Sequence, residues 1–136
     1  MLSEERKPRV LMAVSLPAAE RIGRILVEDF RIERAASLRE LVHTMRCSSF
    51  DLVIVGAHFD GSRAIEALDV VRLHAPQVPL VCVRVAPFCD PLGEATLAAF
   101  QTAVEELGVD CFVDLLTFPD DGAGNARIRT MIERLL

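Results

Sequence analysis

The chain has 136 residues, of which 51% are hydrophobic and 26% are charged, and it contains no tryptophan or tyrosine. This length is enough for one domain with an aliphatic core. The formal net charge of −5 argues against attraction to nucleic acid or to an anionic membrane. No apolar run reaches the ~20 residues that a membrane span needs. The charged opening, residues 1–8, is unlike a signal peptide, so we expect a cytoplasmic protein.

The residues that could bind metal are scattered along the chain. No C-x-x-C pair occurs, and neither the cysteines nor the histidines form a cluster of ligands. We therefore predict no metal site and no cofactor, with the cysteines reduced and buried. Cys89, which lies in a predicted loop, is the one cysteine that we single out for redox chemistry.

The first half of the chain alternates between strand and helix patterns. Residues 9–15 predict a buried strand, and Pro17 suits the first turn of a helix that continues to about residue 29. Residues 30–35 alternate between apolar and polar side chains, as is typical of a half-exposed edge strand. Ser37 and Glu40 have the spacing of a capping box, which predicts the start of a second helix.

The middle of the chain contains the most hydrophobic strand. Residues 51–56 form an unbroken apolar run closed by Gly56, which predicts a strand buried on both faces in a parallel sheet. A third helix is predicted after Gly61 and ends before Pro76. Residues 79–85 predict a fourth strand.

The last part of the chain predicts two further helices and a strand. Asp90 and Pro91 suit the N-cap and first position of a long helix that stops at Gly108. Its predicted inner face consists of Leu92, Thr96, Ala99, Ala103 and Leu107. Residues 109–116 predict the fifth strand. Residues 118–124 are predicted to be a flexible loop, after which Asn125 caps the last helix.

Five strands that alternate with five helices predict an α/β fold with a parallel sheet covered by helices on both faces. The second strand is the least hydrophobic and belongs at an edge, which favours the strand order 2-1-3-4-5. We expect one domain over residues 9–136, preceded by a polar leader of residues 1–8.

The order and lengths of these elements resemble the receiver domain of response regulators from bacterial two-component signalling. This resemblance implies a flavodoxin-like, three-layer α/β/α fold. It covers essentially the whole chain and depends on a few local sequences in combination: residues 10–13 with Pro17, 50–55, 78–81 and 108–113.

The residues that perform phosphotransfer in receivers are all replaced. The resemblance places Val14 and Ser15 where receivers have an acidic pair that holds magnesium, and Gly56 where they have the phosphoacceptor aspartate. Arg84 occupies the position of a threonine or serine, and Leu115-Leu116 that of a Lys-Pro pair. Without carboxylates no group holds the metal that neutralises charge during phosphoryl transfer. The chain is thus similar to a pseudo-receiver, and we predict no enzymatic activity.

Two acidic residues and one arginine leave alternatives open. Asp60 is expected to cap a turn or a helix rather than to be a displaced phosphoacceptor. Asp114 would join such a site only if its side chain turned inward. Arg84, a charge in an apolar strand, is expected to pair with Asp60 or Asp114, and the alternative is that it binds an anion. His58 is expected to be a loop residue that faces solvent.

Two functions are consistent with this sequence. The first is a non-catalytic signalling module that binds a kinase, a regulator or an output protein, or forms a homodimer, independently of phosphorylation. The alternative is a sensor of a small ligand or anion in a crevice formed by Ser15, His58, Asp60 and Arg84.

In receivers the fourth helix, fifth strand and fifth helix make protein contacts, which implies a surface here that includes Phe100, Val104, Phe118, Arg127 and Met131. Phe100 and Val104 form an apolar patch if they point outward; completion of the core is the other interpretation, which we favour for Phe100.

Overall fold

Five parallel strands form one sheet in the computed structural model, which describes residues 7–88 and 93–136. The elements in chain order are β1 (Arg9–Ala13), α1 (Leu16–Leu26), β2 (Arg31–Ala35), α2 (Leu38–Cys47), β3 (Leu52–Gly56), α3 (Ala64–His74), β4 (Leu80–Arg84), α4 (Gly93–Glu106), β5 (Cys111–Asp114) and α5 (Gly122–Glu133). A short 3-10 turn, Leu115–Thr117, follows β5. The strand order is β2-β1-β3-β4-β5, which confirms the predicted fold class and topology.

Burial follows the predicted pattern of hydrophobicity along the sheet. All five residues of β3 are buried, whereas β2 is mostly exposed, as expected for a central and an edge strand. Of the predicted leader, residues 1–6 lie outside the described ranges, and the Pro8 carbonyl accepts a hydrogen bond from the Arg31 amide. None of the helices in the described ranges has the length and hydropathy to span a bilayer.

The sheet separates two hydrophobic cores. On one face α1 and α5 contribute residues such as Ile22 and Ile128, and on the other α2, α3 and α4 contribute residues such as Leu41, Leu68 and Val104. Each fully buried aliphatic side chain contributes about 1.5–3 kcal/mol of transfer free energy. These two cores hold the carboxyl ends of β1, β3 and β4 in fixed positions.

The predicted capping box at the start of α2 is confirmed with a one-residue difference. The Ser37 hydroxyl accepts a hydrogen bond from the Glu40 amide at 3.1 Å. The Glu40 carboxylate accepts one from the Ala36 amide at 2.7 Å, one residue before the expected partner. Both bonds satisfy backbone donors that have no partner within the helix.

The inner face of α4 agrees with the prediction at Leu107, which packs against the core, but differs from it elsewhere. Val104 is fully buried, Phe100 packs against the same core, and Ala99 is exposed. The larger side chains remove more apolar area from water than alanine does, which sets the rotation of the helix. Asp90 and Pro91, the predicted N-cap and first position of this helix, lie outside the described residues, and so does Leu92 of the predicted inner face.

The last helix begins four residues earlier than predicted. Its N-cap is Asp121, whose carboxylate accepts a hydrogen bond from the Gly124 amide at 2.8 Å, and Asn125 lies inside the first turn. Gly124 is buried against the Pro119 carbonyl. Residues 122–124, which we predicted to belong to a flexible loop, are therefore helical. Gly124 lies so close to the Pro119 carbonyl that only a residue without a Cβ atom fits there.

The cysteines also depart from the expectation that all are buried. Cys82 is fully buried, and burial raises the pKa of its thiol to about 12. Cys111 is half-buried, with the pKa of its thiol raised by burial and by the charge of Asp110. Cys47, at the end of α2, is exposed, and Cys89 lies outside the described residues.

Candidate functional site

The carboxyl ends of β1 and β3 form an apolar floor. Val14 is fully buried, and a Cβ atom added to Gly56 would lie 3.3 Å from the Val14 Cγ1 atom. Ser15 is the N-cap residue of α1, and its side chain makes no capping hydrogen bond. The floor of this edge thus presents no carboxylate, and Val14 fills the space beside Gly56.

An ion pair lies at the carboxyl ends of the neighbouring strands β4 and β5. The Arg84 guanidinium donates to both carboxylate oxygens of Asp114, with N–O distances of 2.7 and 3.2 Å. Only 11% of the Arg84 side chain and 15% of the Asp114 side chain are exposed. The expected pairing of Arg84 is therefore present, with Asp114 as the partner. Asp114 also accepts a hydrogen bond from the Leu116 amide at 3.1 Å, so the pair compensates the charge of Arg84 and fixes the end of β5.

Asp60 is directed to α2. Its carboxylate accepts a hydrogen bond from the Leu38 amide at 2.8 Å, and its own φ is +44°. Aspartate is one of the residues that tolerate this left-handed conformation. The predicted capping function is present, but the capped helix is the preceding one, α2, and Arg63 holds the N-cap position of α3.

His58 is half-buried and packs against Phe88, with ring centroids 5.2 Å apart. The prediction that it faces solvent is wrong. Its Nδ1 atom is buried and has no hydrogen-bond partner in the part of the chain that the structure describes. Burial lowers the pKa of the imidazole from its ordinary value of 6.5, and the charge of Arg84 lowers it further.

Replacing His58 by glutamine is expected to reduce the loss of stability in acid. Because the pKa of this histidine is lower in the folded protein, the unfolded chain takes up the proton first as the pH falls below about 6.5. Its contribution to stability is therefore complete above that pH and decreases below it. Urea unfolding of the wild type and His58→Gln between about pH 7.5 and about pH 5 measures the effect. Parallel stability curves for the two proteins would contradict this assignment.

Phe88 is a site residue that the sequence analysis missed. Its ring lies 5.2 Å from His58, 5.6 Å from the Arg84 guanidinium and 5.6 Å from the Phe100 ring. It therefore joins the edge of the sheet to the face of α4. A single phenylalanine in the loop after β4 carries no periodic signal, which explains why the pattern of the sequence did not reveal it.

The structure brings only some of the predicted site residues together. Arg84 meets Asp114 and lies near His58, and Val14 meets Gly56. Asp60 is engaged with α2, and Leu115 is buried in the core with α5. Within residues 7–88 and 93–136 no three His, Cys, Asp or Glu side chains are grouped so that they could hold a metal ion.

The structure also brings together only some of the residues of the predicted contact surface. Phe118, Arg127 and Met131 line a groove of about 420 Å³ on α5, together with Thr130 and Arg134. The Arg127 guanidinium lies 5.4 Å from the centre of the Phe118 ring. Phe100 and Val104 pack into the core behind α4 and do not line this groove, because burial of their apolar area is more favourable.

Comparisons with known proteins identify the fold. No protein-family model matches the sequence, and a search of curated proteins finds no match. A response regulator from Thermotoga maritima superposes with a TM-score of 0.71 at 14% identity, covering 95% of this chain and 97% of that one. The chemotaxis protein CheY4 of Vibrio cholerae gives 0.69 at 16%, covering 96% and 99%. HP1043, an orphan response regulator of H. pylori, gives 0.68 at 17%, covering 95% and 96%. The chain therefore has the fold of CheY-like receiver domains.

Proposed function

We propose that this chain is a non-catalytic receiver-like signalling module that acts through protein contacts and does not depend on phosphorylation. The observation that carries the proposal is the Arg84–Asp114 pair. It places a compensated ion pair at the carboxyl ends of β4 and β5, where the resemblance to receivers implies groups that bind a phosphoryl group. An arginine engaged with both oxygens of one carboxylate is not available to a phosphoryl group.

The residues at this edge do not fit a magnesium ion. One structural neighbour, TrrA from Thermotoga maritima, was solved in complex with Mg²⁺ and BeF. Magnesium is bound through oxygen ligands, usually including one or two carboxylates. Here the matching floor is Val14 and Gly56, and the two nearby carboxylates, Asp60 and Asp114, accept hydrogen bonds from a backbone amide and from Arg84.

The groove on α5 is the proposed contact surface. Arginine, methionine and phenylalanine are enriched at protein interfaces, and Arg127, Met131 and Phe118 supply them here. The partner in this proposal is a kinase, a regulator, an output protein or a second copy of the chain. With a net charge of −5 we assign neither nucleic acid nor a membrane as its ligand.

A small-ligand or anion sensor is the second candidate function. The buried Nδ1 atom of His58 favours it, since a ligand could donate or accept a hydrogen bond there. Arg84 argues against an anion, because Asp114 already compensates its charge. A ligand that binds only the folded state would raise the melting temperature, and the stabilisation free energy would grow with the logarithm of the ligand concentration above Kd.

Incubation with acetyl phosphate and magnesium tests the first proposal. We expect the intact mass to be unchanged and the sedimentation coefficient to be the same with and without the phosphodonor, because the described residues of the edge are not grouped to hold a metal ion. A phosphorylation-competent receiver is the positive control. A series of protein concentrations distinguishes a homodimer from a module that needs another partner. An acid-labile phosphate adduct, or a change in association on its formation, would overturn the proposal.

A further inference from the structure

A second groove lies between α2 and the start of α3, on the opposite side of the sheet from α5. Its volume is about 480 Å³, and its lining consists of Leu38, Arg39, Val42, His43, Arg46 and Arg63. The first five of these residues share one face of α2 at helical spacing. The sixth, Arg63, is brought to the same groove by the packing of α3 against α2.

Among residues 7–88 and 93–136, no carboxylate forms an ion pair with the arginines of this groove. Elsewhere most arginines pair with a carboxylate: Arg9, Arg21, Arg24, Arg72, Arg84 and Arg129. By contrast, the side chains of Arg39, Arg46 and Arg63 make no ion pair or hydrogen bond with any residue that the structure describes. In a chain of net charge −5, three exposed and unpaired arginines around one groove are a local excess of positive charge.

The carboxylates of Glu40 and Asp60 have other partners. Glu40, which flanks the groove on α2, accepts a hydrogen bond from the Ala36 amide, and Asp60 accepts one from the Leu38 amide. Both cap the amino-terminal end of α2, where the helix dipole also favours negative charge. Neither carboxylate forms an ion pair with the groove arginines.

The floor of the groove is apolar. Leu38 and Val42 lie one helical turn apart on α2, and both are half-buried, so part of each side chain remains open to solvent. An apolar floor bordered by arginines is complementary to an amphipathic helix that presents one or two apolar side chains between carboxylates. Carboxylates accept paired hydrogen bonds from arginine, which adds directional specificity to the attraction.

We infer that the α2–α3 groove docks an acidic amphipathic helix of a protein partner, whose apolar side chains lie on Leu38 and Val42 and whose carboxylates pair with Arg39, Arg46 and Arg63. Nucleic acid fits less well, because three arginines give few phosphate contacts and the overall negative charge opposes a polyanion. The inference goes beyond the proposed function. It concerns a different surface from the α5 groove and does not require that the chain lack phosphotransfer.

A synthetic peptide tests this docking directly. The probe is a fluorescein-labelled, ~16-residue helix with leucines on one face and glutamates elsewhere, titrated with the protein by anisotropy at about 0.15 M salt. Arg39→Gln/Arg46→Gln is expected to weaken binding about tenfold. Arg31→Glu is the matched control: it changes the net charge by the same two units, and Arg31 is exposed on β2, outside the groove. The control is expected to bind within about twofold of the wild type.

Amide chemical-shift mapping of the wild-type protein gives the location independently of any variant. Shifts confined to α2 and the start of α3 support the docking site. Equal affinity of the double variant and the wild type would overturn it, as would equal binding of a peptide with lysine in place of glutamate. Tighter binding of an oligothymidylate or of phosphatidylglycerol vesicles through the same arginines would also overturn it. None of these results changes the outcome expected with acetyl phosphate.

Discussion

Gly124→Ala is expected to destabilise the protein by about 3 kcal/mol, as severe overpacking does. An added Cβ atom would lie 2.0 Å from the Pro119 carbonyl oxygen and 3.0 Å from its carbon. The obstacle is backbone, so a rotamer change cannot relieve it. Relief requires α5 to move away from Pro119, which would disturb the Asp121 cap and the packing of Ile128. Urea unfolding monitored by circular dichroism measures the loss.

Gly122→Ala provides the matched control for this substitution. Gly122 is in the same helical turn, and an added Cβ atom there meets no atom within 4 Å. Alanine at such a position is expected to stabilise the protein by about 0.5 kcal/mol, mainly by restricting the unfolded chain. Equal losses for the two variants would mean that the helix start tolerates no alanine at all, and the contact with Pro119 would not be the cause.

Asp114→Asn is expected to destabilise the protein by about 2–3 kcal/mol, because it leaves Arg84 with little exposure and no countercharge. The substitution keeps the size of the side chain and the oxygen that can accept from the Leu116 amide. A double-mutant cycle with Arg84→Met isolates the interaction, for which we expect a coupling free energy of about 2 kcal/mol. Chemical denaturation of the four proteins supplies the cycle.

The exposed pair of Arg24 and Asp120 is the control for this cycle. Its side chains are 56% and 46% exposed, so solvent screens their attraction. The same cycle there is expected to give a much smaller coupling free energy than the one between Arg84 and Asp114. If the two couplings were equal, partial burial would not strengthen the Arg84–Asp114 pair, and the interpretation that this pair fixes the end of β5 would be wrong.

The fold was largely predictable because each strand has its own hydrophobic pattern. The unbroken apolar run of β3 predicted a central strand, and the alternation in β2 predicted an edge strand, and both are found. Turn chemistry was partly predictable: Ser37 and Glu40 cap α2 as expected. The start of α5 was not, since Asp121, Gly122 and Asn125 are all acceptable at a helix start by type alone.

Most residues of the candidate site were predictable from the sequence, but their contacts and the presence of Phe88 were not. Pattern alone indicated that Arg84 needs a partner, and only the parallel register of β4 and β5 places Asp114 opposite it. Asp60, an equal candidate in the sequence, turns to α2 because a left-handed residue redirects the chain after β3. The same applies to Phe88, which reaches His58 and Arg84 only across the folded loop.

The sequence by itself determined the alternation of strands and helices, the central and edge strands, and the absence of acidic residues at Val14, Ser15 and Gly56. These features depend on local composition and periodicity, which each segment carries alone. Tertiary structure decided which face of α4 is buried, which aspartate neutralises Arg84, and that Arg63 joins the arginines of α2. Those outcomes depend on packing and strand register between segments distant in the chain, and no single segment encodes them.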